Sequence, residues 1–276
     1  MLLKTIAGLS VLLAAVLFPF GEYSVWLLPL LFGGLYLALL LAAFVVLWAF
    51  SAAVDMEKPQ ENDSKLYRWV MHLYIEALIP LAGLKIHVAG LEKTPREGRF
   101  LLVCNHQNES DPGILLHFFR NSQLAFISKK ENNSMFVVGP FMHKILCQLV
   151  NRENDREALK TILRCIQLIR EDKVSIGAFP EGGILVKDKL SHFRSGMFKI
   201  AQKARVPIVV CTLKGTSDLF VNMKKLRRTH VRLHLLDVIP AEEVTAANTV
   251  ELGDRIYRMM LEDLGPEYAL ENQETT

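Results

Sequence analysis

The first fifty residues of this 276-residue chain contain only two charged side chains, Lys4 and Glu22, so almost every ionisable group lies after Ser51. Residues 26–50 form an uncharged run of twenty-five residues. As a tilted helix, such a run can cross a hydrocarbon core of about 30 Å. The earlier uncharged run, 5–20, is marginal in length. The two runs predict a membrane-spanning helical hairpin over 1–54 that turns at 21–24.

A cleaved signal peptide is the alternative for the first run, with Lys4 as its charged region and 9–17 as its apolar core. Residues 19–22 make a poor cleavage site, and a longer apolar run follows at once, so the hairpin is favoured. Positive charge is absent from the short turn and resumes at Lys58. Because lysine and arginine concentrate on the cytoplasmic side, both ends of the hairpin are predicted to be cytoplasmic, and so is the domain that follows.

Residues 55–83 are predicted to be a polar linker followed by an amphipathic helix. The linker is 55–64, and the helical pattern over 66–84 places Trp69, Tyr74, Leu78 and Leu81 among its apolar positions. Such a helix can lie at the bilayer interface or pack on the protein core, and the pattern fits both.

Strand and helix patterns alternate from residue 84 onward, which predicts an α/β domain over 84–265 with a largely parallel central sheet flanked by helices. The strand candidates are 84–88, 100–104, 124–128, 174–179, 208–212 and 231–235. The helix candidates are 114–119, 156–170, 193–203 and a closing amphipathic helix at 249–264. Residues 266–276 are predicted to be a polar tail.

Composition excludes several functional classes. The net charge of +3 is small and no basic–aromatic repeat is present, so nucleic acid is not a predicted partner. The four cysteines show no CxxC spacing, which favours free thiols in a reducing compartment. No His, Cys or Glu cluster has the spacing of metal ligands, so no metal is predicted. A hydrolase with a nucleophile elbow would need Gly-x-Ser-x-Gly, which the sequence lacks.

His106 follows a predicted buried strand, 100–104, and Asp111-Pro112 opens the predicted helix that comes next. On one continuous helix the two would lie about 140° apart. At a strand-to-helix bend, however, the carboxylate can reach the imidazole and the pair can act as a general base. The alternative is that Asp111 only caps its helix and His106 only ends its strand.

Glu181, Gly182 and Gly183 follow the predicted strand 174–179. Glycines directly after a strand let backbone N–H groups approach an anion, as phosphate sites require. A simple tight turn is the alternative.

Together these motifs resemble those of the glycerolipid acyltransferases, the family of 1-acylglycerol-3-phosphate acyltransferases. Asn105-His106 with Asp111 resembles the first motif, and Phe179-Pro180-Glu181-Gly182 resembles the third. The second block is similar to Ser128-Lys129-Lys130-Glu131, a glycine–proline turn at 138–141, and a strand ending in Asn151-Arg152. The fourth is similar to 206–210. The resemblance covers about 84–236.

The resemblance implies a membrane-bound O-acyltransferase in which His106, held by Asp111, activates the acceptor hydroxyl. It implies that an acyl group passes from acyl-CoA or an acyl carrier protein to the free hydroxyl of lysophosphatidic acid, giving phosphatidic acid. No cofactor is implied beyond that co-substrate. The implied substrate-binding residues are Lys129, Arg152, Glu181, Gly182 and Gly183.

The sequence departs from the family pattern at two places. Gly183-Ile184 stands where the family has Thr-Arg, and Val210 replaces a proline of the fourth block. The charge of the missing arginine could come from Lys187, Lys189 or Arg194. An acceptor other than lysophosphatidic acid, either another lysolipid or glycerol 3-phosphate, therefore stays open. A non-catalytic membrane adaptor would explain the hairpin but not His106 and Asp111.

Overall fold

The computed structural model describes residues 1–18, 24–151 and 154–270. It begins with two apolar helices, α1 (Leu2–Leu17) and α2 (Leu28–Ala52), which pack against each other. Most of the predicted turn, 21–24, lies outside the described residues. Among the helices that are described, one, Val25–Ala52, is long and apolar enough to cross a membrane. The sixteen residues of α1 make a shorter apolar helix.

The carboxyl-terminal half of α2 is docked on the next helix, α3 (Lys65–Leu81). Tyr67 Oη donates to Phe50 O at 3.1 Å, and Tyr74 Oη donates to Ala43 O at 2.6 Å. The linker before α3 is also held, because the buried guanidinium of Arg68 forms an ion pair with Asp63 at 2.8 Å.

The predicted amphipathic character of α3 is confirmed, and the helix has two apolar faces. Val70, Met71 and Ala77 are buried in the domain, as the core-facing interpretation predicted. Outward-facing apolar side chains remain more than half exposed at Leu66, Trp69, Leu78 and Leu81.

In the described part of the chain, the central sheet has seven strands in the order β1-β7-β6-β2-β5-β3-β4. All neighbouring pairs are parallel except β6–β7, so the predicted largely parallel sheet is confirmed. The strands are β1 (Leu84–Ala89), β2 (Leu101–Cys104), β3 (Leu124–Lys129), β4 (Gln148–Val150), β5 (Ser175–Ala178), β6 (Ile208–Lys214) and β7 (Thr229–Ile239).

Helices cover both faces of this sheet and bury two apolar clusters. The remaining helices are α4 (Asp111–Phe118), α5 (Val138–Lys144), α6 (Asp155–Arg170), α7 (Lys199–Ala204), α8 (Leu219–Lys224), α9 (Ala241–Ala246) and α10 (Thr249–Leu264). One cluster packs α3, α4 and α5 on the sheet, and the other packs α6, α7, α9 and α10. Strand β2 is buried along its whole length between β5 and β6.

Three sequence predictions differ from the structure. The glycine–proline turn at 138–141 is wrong, because Val138–Lys144 is a helix that has Pro140 in its first turn. Helices α8 and α9 are absent from the elements that the sequence patterns predict. The packed domain also extends beyond residue 265, since Tyr268 is buried and its carbonyl accepts from Leu190 N at 2.7 Å. Residues 271–276 of the predicted tail lie outside the described residues.

Candidate active site

The site is built where the chain leaves the carboxyl end of β2. Asn105 holds the chain there, since its side chain donates to Leu213 O and accepts from Leu213 N, each at 2.8 Å. Gln107 makes a second connection to the same region, with its Oε1 accepting from Gly215 N at 3.0 Å. The loop between β2 and α4 is thereby fixed to the end of β6.

Within this loop, His106 Nδ1 lies 2.9 Å from Asp111 Oδ2. The Asp111 side chain is fully buried, whereas that of His106 is 16% exposed. Asp111 Oδ2 also accepts from Gln107 N at 2.7 Å and Asn108 N at 2.8 Å. Its other oxygen, Oδ1, has no partner among the described residues. The prediction that the two side chains meet at a strand-to-helix bend is confirmed.

The predicted role of Asp111 as a helix cap is wrong. Helix α4 starts at Asp111 itself, and the preceding Ser110 makes no side-chain cap. The carboxylate turns back onto the loop that precedes the helix, where its three hydrogen bonds shape the turn around His106.

The orientation of the imidazole follows from its neighbours. Its ring stacks on Phe179, with the ring centroids 4.1 Å apart, and Phe179 in turn stacks on Phe126. A carboxylate can only accept, so Nδ1 carries the proton in the hydrogen bond with Asp111 and Nε2 presents a lone pair. In the described part of the chain no group hydrogen-bonds to Nε2. The pair is therefore arranged as a general base with an open nitrogen.

Glu181, for which a substrate-binding role is predicted, is buried and accepts hydrogen bonds from the protein backbone. Its side chain is 3% exposed, and its two oxygens accept from His106 N at 2.7 Å and from Ser191 N at 2.9 Å. Burial raises the pKa of this carboxyl to about 7, although the two N–H donors act in the opposite direction. Glu181 is thus a positioning residue that joins the backbone of His106 to the loop ending at Ser191.

The two glycines after Glu181 differ in the hydrogen bonding of their backbone amides. Gly182 N donates to Phe179 O at 3.1 Å, so this amide is used in a tight turn, as the alternative interpretation proposed. Gly183 N has no hydrogen-bond partner among the described residues. Gly182 has φ +81°, and a Cβ built on it would lie 2.6 Å from Arg194 Nε. The positive φ favours glycine at this position, and the exposed Arg194 side chain passes directly over the turn.

Lys129, the remaining predicted residue that the structure describes, lies at the same edge of the sheet. Lys129 is exposed at the carboxyl end of β3, which is parallel to β5 and β4. Arg152 lies outside the described residues, two positions after the end of β4. The carboxyl ends of parallel strands meet at one edge, so Lys129, the Gly183 turn and Arg194 lie on the edge that carries His106.

The sequence motifs predict no role for Asn105, Gln107, Phe179 or Ser191, although each of them shapes the site. Most of these contacts join distant parts of the chain, as with Asn105 and Leu213, which are 108 positions apart. No local spacing signals such contacts. Arg194 had been one of three possible charges, and the close approach to Gly182 that distinguishes it is visible only in the fold.

A histidine held by a buried carboxylate at the open edge of a mostly parallel sheet is an arrangement that suits general-base activation of a nucleophile. Residues 85–214 match the sequence model of the family described as Acyltransferase. These residues of the chain are an acyltransferase domain of that family.

Two relatives and one solved structure show the extent of the likeness. The chain is 27% identical over 201 residues to a probable 1-acyl-sn-glycerol-3-phosphate acyltransferase of Mycoplasma pneumoniae, covering 71% of this chain and 72% of that protein. It is 28% identical over 200 residues to the 1-acyl-sn-glycerol-3-phosphate acyltransferase of Borreliella burgdorferi, covering 69% and 78%. The crystal structure of a 1-acyl-sn-glycerophosphate acyltransferase from Thermotoga maritima has the same fold. The TM-score is 0.61 at 19% identity, covering 98% of this chain and all of that one.

Proposed function

We propose that the protein transfers a fatty acyl group from acyl-CoA or an acyl carrier protein to the free hydroxyl of lysophosphatidic acid, forming phosphatidic acid. The observation that carries this proposal is the His106–Asp111 pair, with its 2.9 Å contact and open Nε2. The names of the relatives, which are 1-acyl-sn-glycerol-3-phosphate acyltransferases, support the choice of acceptor.

In the proposed reaction, Nε2 of His106 removes the proton from the acceptor hydroxyl as its oxygen attacks the thioester carbonyl. The buried Asp111 carboxylate stabilises the imidazolium that forms. When the tetrahedral intermediate collapses, the carbon–sulfur bond breaks and the leaving thiolate takes the proton from Nε2. The products are an ester and a free thiol, with the histidine neutral again. No acyl-enzyme and no cofactor are needed, because the acceptor oxygen is the nucleophile.

We propose that Arg194 supplies the positive charge of the arginine that this sequence lacks after Gly183. Its guanidinium lies over the Gly182 turn and makes no hydrogen bond within the described residues. Lys129 lies on the same edge, and Gly183 N–H, which has no partner in the described part of the chain, provides a backbone donor. A guanidinium that can bind two phosphate oxygens at once suits a phosphomonoester. Arg152 remains a fourth candidate contact.

The proposed location is the cytoplasmic surface of a membrane, with α2 as an integral anchor. Its support is the long apolar helix Val25–Ala52 and the positive charges that follow it in the sequence. Such an anchor would keep the catalytic edge where both the lysolipid acceptor and the lipid product reside.

The acceptor can be tested by incubating the purified full-length protein with a labelled acyl donor and a panel of acceptors. The panel contains lysophosphatidic acid, glycerol 3-phosphate, lysophosphatidylcholine and lysophosphatidylglycerol. We expect the highest kcat/KM for lysophosphatidic acid, with labelled phosphatidic acid as the product. A higher value for any other acceptor would overturn the substrate assignment while leaving the acyltransferase class intact.

A further inference from the structure

The loops at the two edges of the sheet differ in their exposed apolar side chains. The loops that follow β3, β5 and β6 lie at the catalytic edge, because these strands run parallel to β2. Each of these loops exposes large apolar residues: Met135 and Phe136, then Ile184, Leu185 and Val186, then Phe220, Val221, Met223 and Leu226. In the described loops of the opposite edge, 90–99, 119–123, 171–174, 205–207 and 240–248, no large apolar side chain is exposed.

The segment 219–228, which we call the α8 hairpin, combines apolar and basic side chains. Leu226 at its tip is 97% exposed. It has φ +52°, a left-handed conformation that favours glycine or asparagine. A leucine is therefore presented to solvent at a position where a small or polar residue is the usual choice. Four exposed cations flank it: Lys224, Lys225, Arg227 and Arg228. Among the described residues none of their side chains forms an ion pair or a side-chain hydrogen bond.

The α8 hairpin is joined to the apolar loop beside the active site. Lys187 Nζ contacts Asp218 Oδ1 at 2.6 Å, so the loop that carries 184–186 lies against the start of α8. The chain that leads from β6 into this hairpin contacts the loop of His106, because Gln107 Oε1 accepts from Gly215 N at 3.0 Å. The two apolar segments therefore form one surface on the rim of the catalytic edge.

This surface continues toward the membrane helices. The backbone of Arg227 lies against Gly83, just past the end of α3, where Leu78 and Leu81 are exposed. The contacts of Phe50 with Tyr67 and of Ala43 with Tyr74 make α2 antiparallel to α3. At 1.5 Å per residue, the first part of α2 then extends about 12 Å beyond the end of α3. It does so on the side of the catalytic edge, since β1 begins there paired with Thr229.

We propose that the α8 hairpin, together with the loop 184–186, is a second membrane contact that holds the catalytic edge against an anionic lipid surface. Leu226 enters the boundary between headgroups and acyl chains, and the four cations bind lipid phosphates. Apolar side chains surrounded by basic ones match the chemistry of such an interface. This contact goes beyond the proposed reaction, because it does not depend on which acceptor is acylated.

The contact can be tested with a fluorescent probe on the full-length protein in vesicles. Leu226→Cys carries an environment-sensitive fluorophore, and Glu97→Cys, exposed at the opposite edge, is the matched control. The parent protein treated with the same reagent gives the background from its own four cysteines. The vesicles contain phosphatidylcholine with or without phosphatidylglycerol, and spin-labelled lipid serves as the quencher. We expect quenching at position 226 in the anionic vesicles and none at position 97.

Loss of quenching at 226, or equal quenching at both positions, would overturn the proposal. No quenching at 226 is also the result expected if this surface binds a protein instead. In a second arm, Arg227→Gln with Arg228→Gln is added to the labelled Leu226→Cys protein. Each basic residue near an anionic surface changes the equilibrium constant for membrane insertion about fivefold. In anionic vesicles, the ratio of inserted to non-inserted label should therefore fall on the order of 25-fold. An equal fall in neutral vesicles would contradict the electrostatic part. Because quenching is scored without turnover, failure of the proposed acyltransferase reaction would remain distinguishable.

Discussion

Replacing Asp111 by asparagine removes the negative charge beside His106 but keeps a side chain of almost the same shape. The side-chain oxygen of asparagine can take the place of Oδ2 and keep the hydrogen bonds from His106, Gln107 N and Asn108 N. Its NH₂ group then occupies the place of Oδ1, which has no partner among the described residues. The loop should keep its form while the imidazolium loses its counter-charge.

The size of the effect can be bounded from the 2.9 Å contact between His106 Nδ1 and Asp111 Oδ2. With an effective dielectric constant of about 20, two unit charges at this distance attract by about 6 kcal/mol, an upper limit. The difference between a charge-assisted and a neutral hydrogen bond, about 1.4 kcal/mol, gives a lower limit of roughly tenfold. We therefore expect kcat to fall between about 10- and 10⁴-fold, with little change in either KM.

Release of free thiol from acyl-CoA, followed with a chromogenic thiol reagent, measures this turnover. The chain offers a matched control in Asp263→Asn, because Asp263 Oδ1 contacts His234 Nδ1 at 2.8 Å in a second His–Asp pair. That pair joins α10 to β7, so its loss should lower stability and leave turnover nearly unchanged. Full activity of folded Asp111→Asn, or equal losses in both variants, would refute the reasoning.

Three further predictions concern the neighbouring residues. Arg194→Ala should raise the KM for lysophosphatidic acid about ten- to a hundredfold, but not the KM for the acyl donor, because one charge-assisted contact is lost. Arg96→Ala at the opposite edge is the control, and equal KM changes for both substrates would contradict the role of Arg194. Ile184→Arg should fold normally, since Ile184 is 40% exposed, and should lower the KM for lysophosphatidic acid; destabilisation in thermal unfolding would show that this side chain packs inward. The folded-state pKa of Glu181 is raised to about 7, so the stability of the parent relative to Glu181→Gln should decrease by up to about 3 kcal/mol as the pH rises from about 4.5 to 7. Unfolding curves at several pH values measure this difference, and a constant difference would contradict the raised pKa.

The parts of the fold that sequence reasoning predicted are those with a local signal. The uncharged N-terminal runs predict α1 and α2, because the apolar composition and the length of a run are enough to indicate a helix suited to a bilayer. The contact between His106 and Asp111 is predictable because the partners lie five positions apart, on either side of a bend. The parallel sheet follows from the alternation of short apolar runs with helical patterns.

The failures share a different physical cause, which is long-range packing. Gly139-Pro140 suggests a turn, yet Gly139 lies in a helix at a place where a Cβ would collide with Asn133 O. Glu181 resembles a substrate ligand in its motif, but its carboxylate is drawn inward by amides up to 75 positions away. Tyr268 follows a glycine and a proline in a polar tail, and only the fold shows that it packs into the core. None of these contacts has a periodic signal in the sequence.

The proposed reaction depends most directly on His106 being the base that activates the acceptor hydroxyl. The decisive measurement is turnover of His106→Ala with acyl-CoA and lysophosphatidic acid, in protein shown to be folded by circular dichroism and thermal unfolding. General-base catalysis contributes about 10²-fold or more, so we expect kcat to fall by at least that factor with little loss of stability. Near-normal turnover by a folded His106→Ala protein would contradict the central claim.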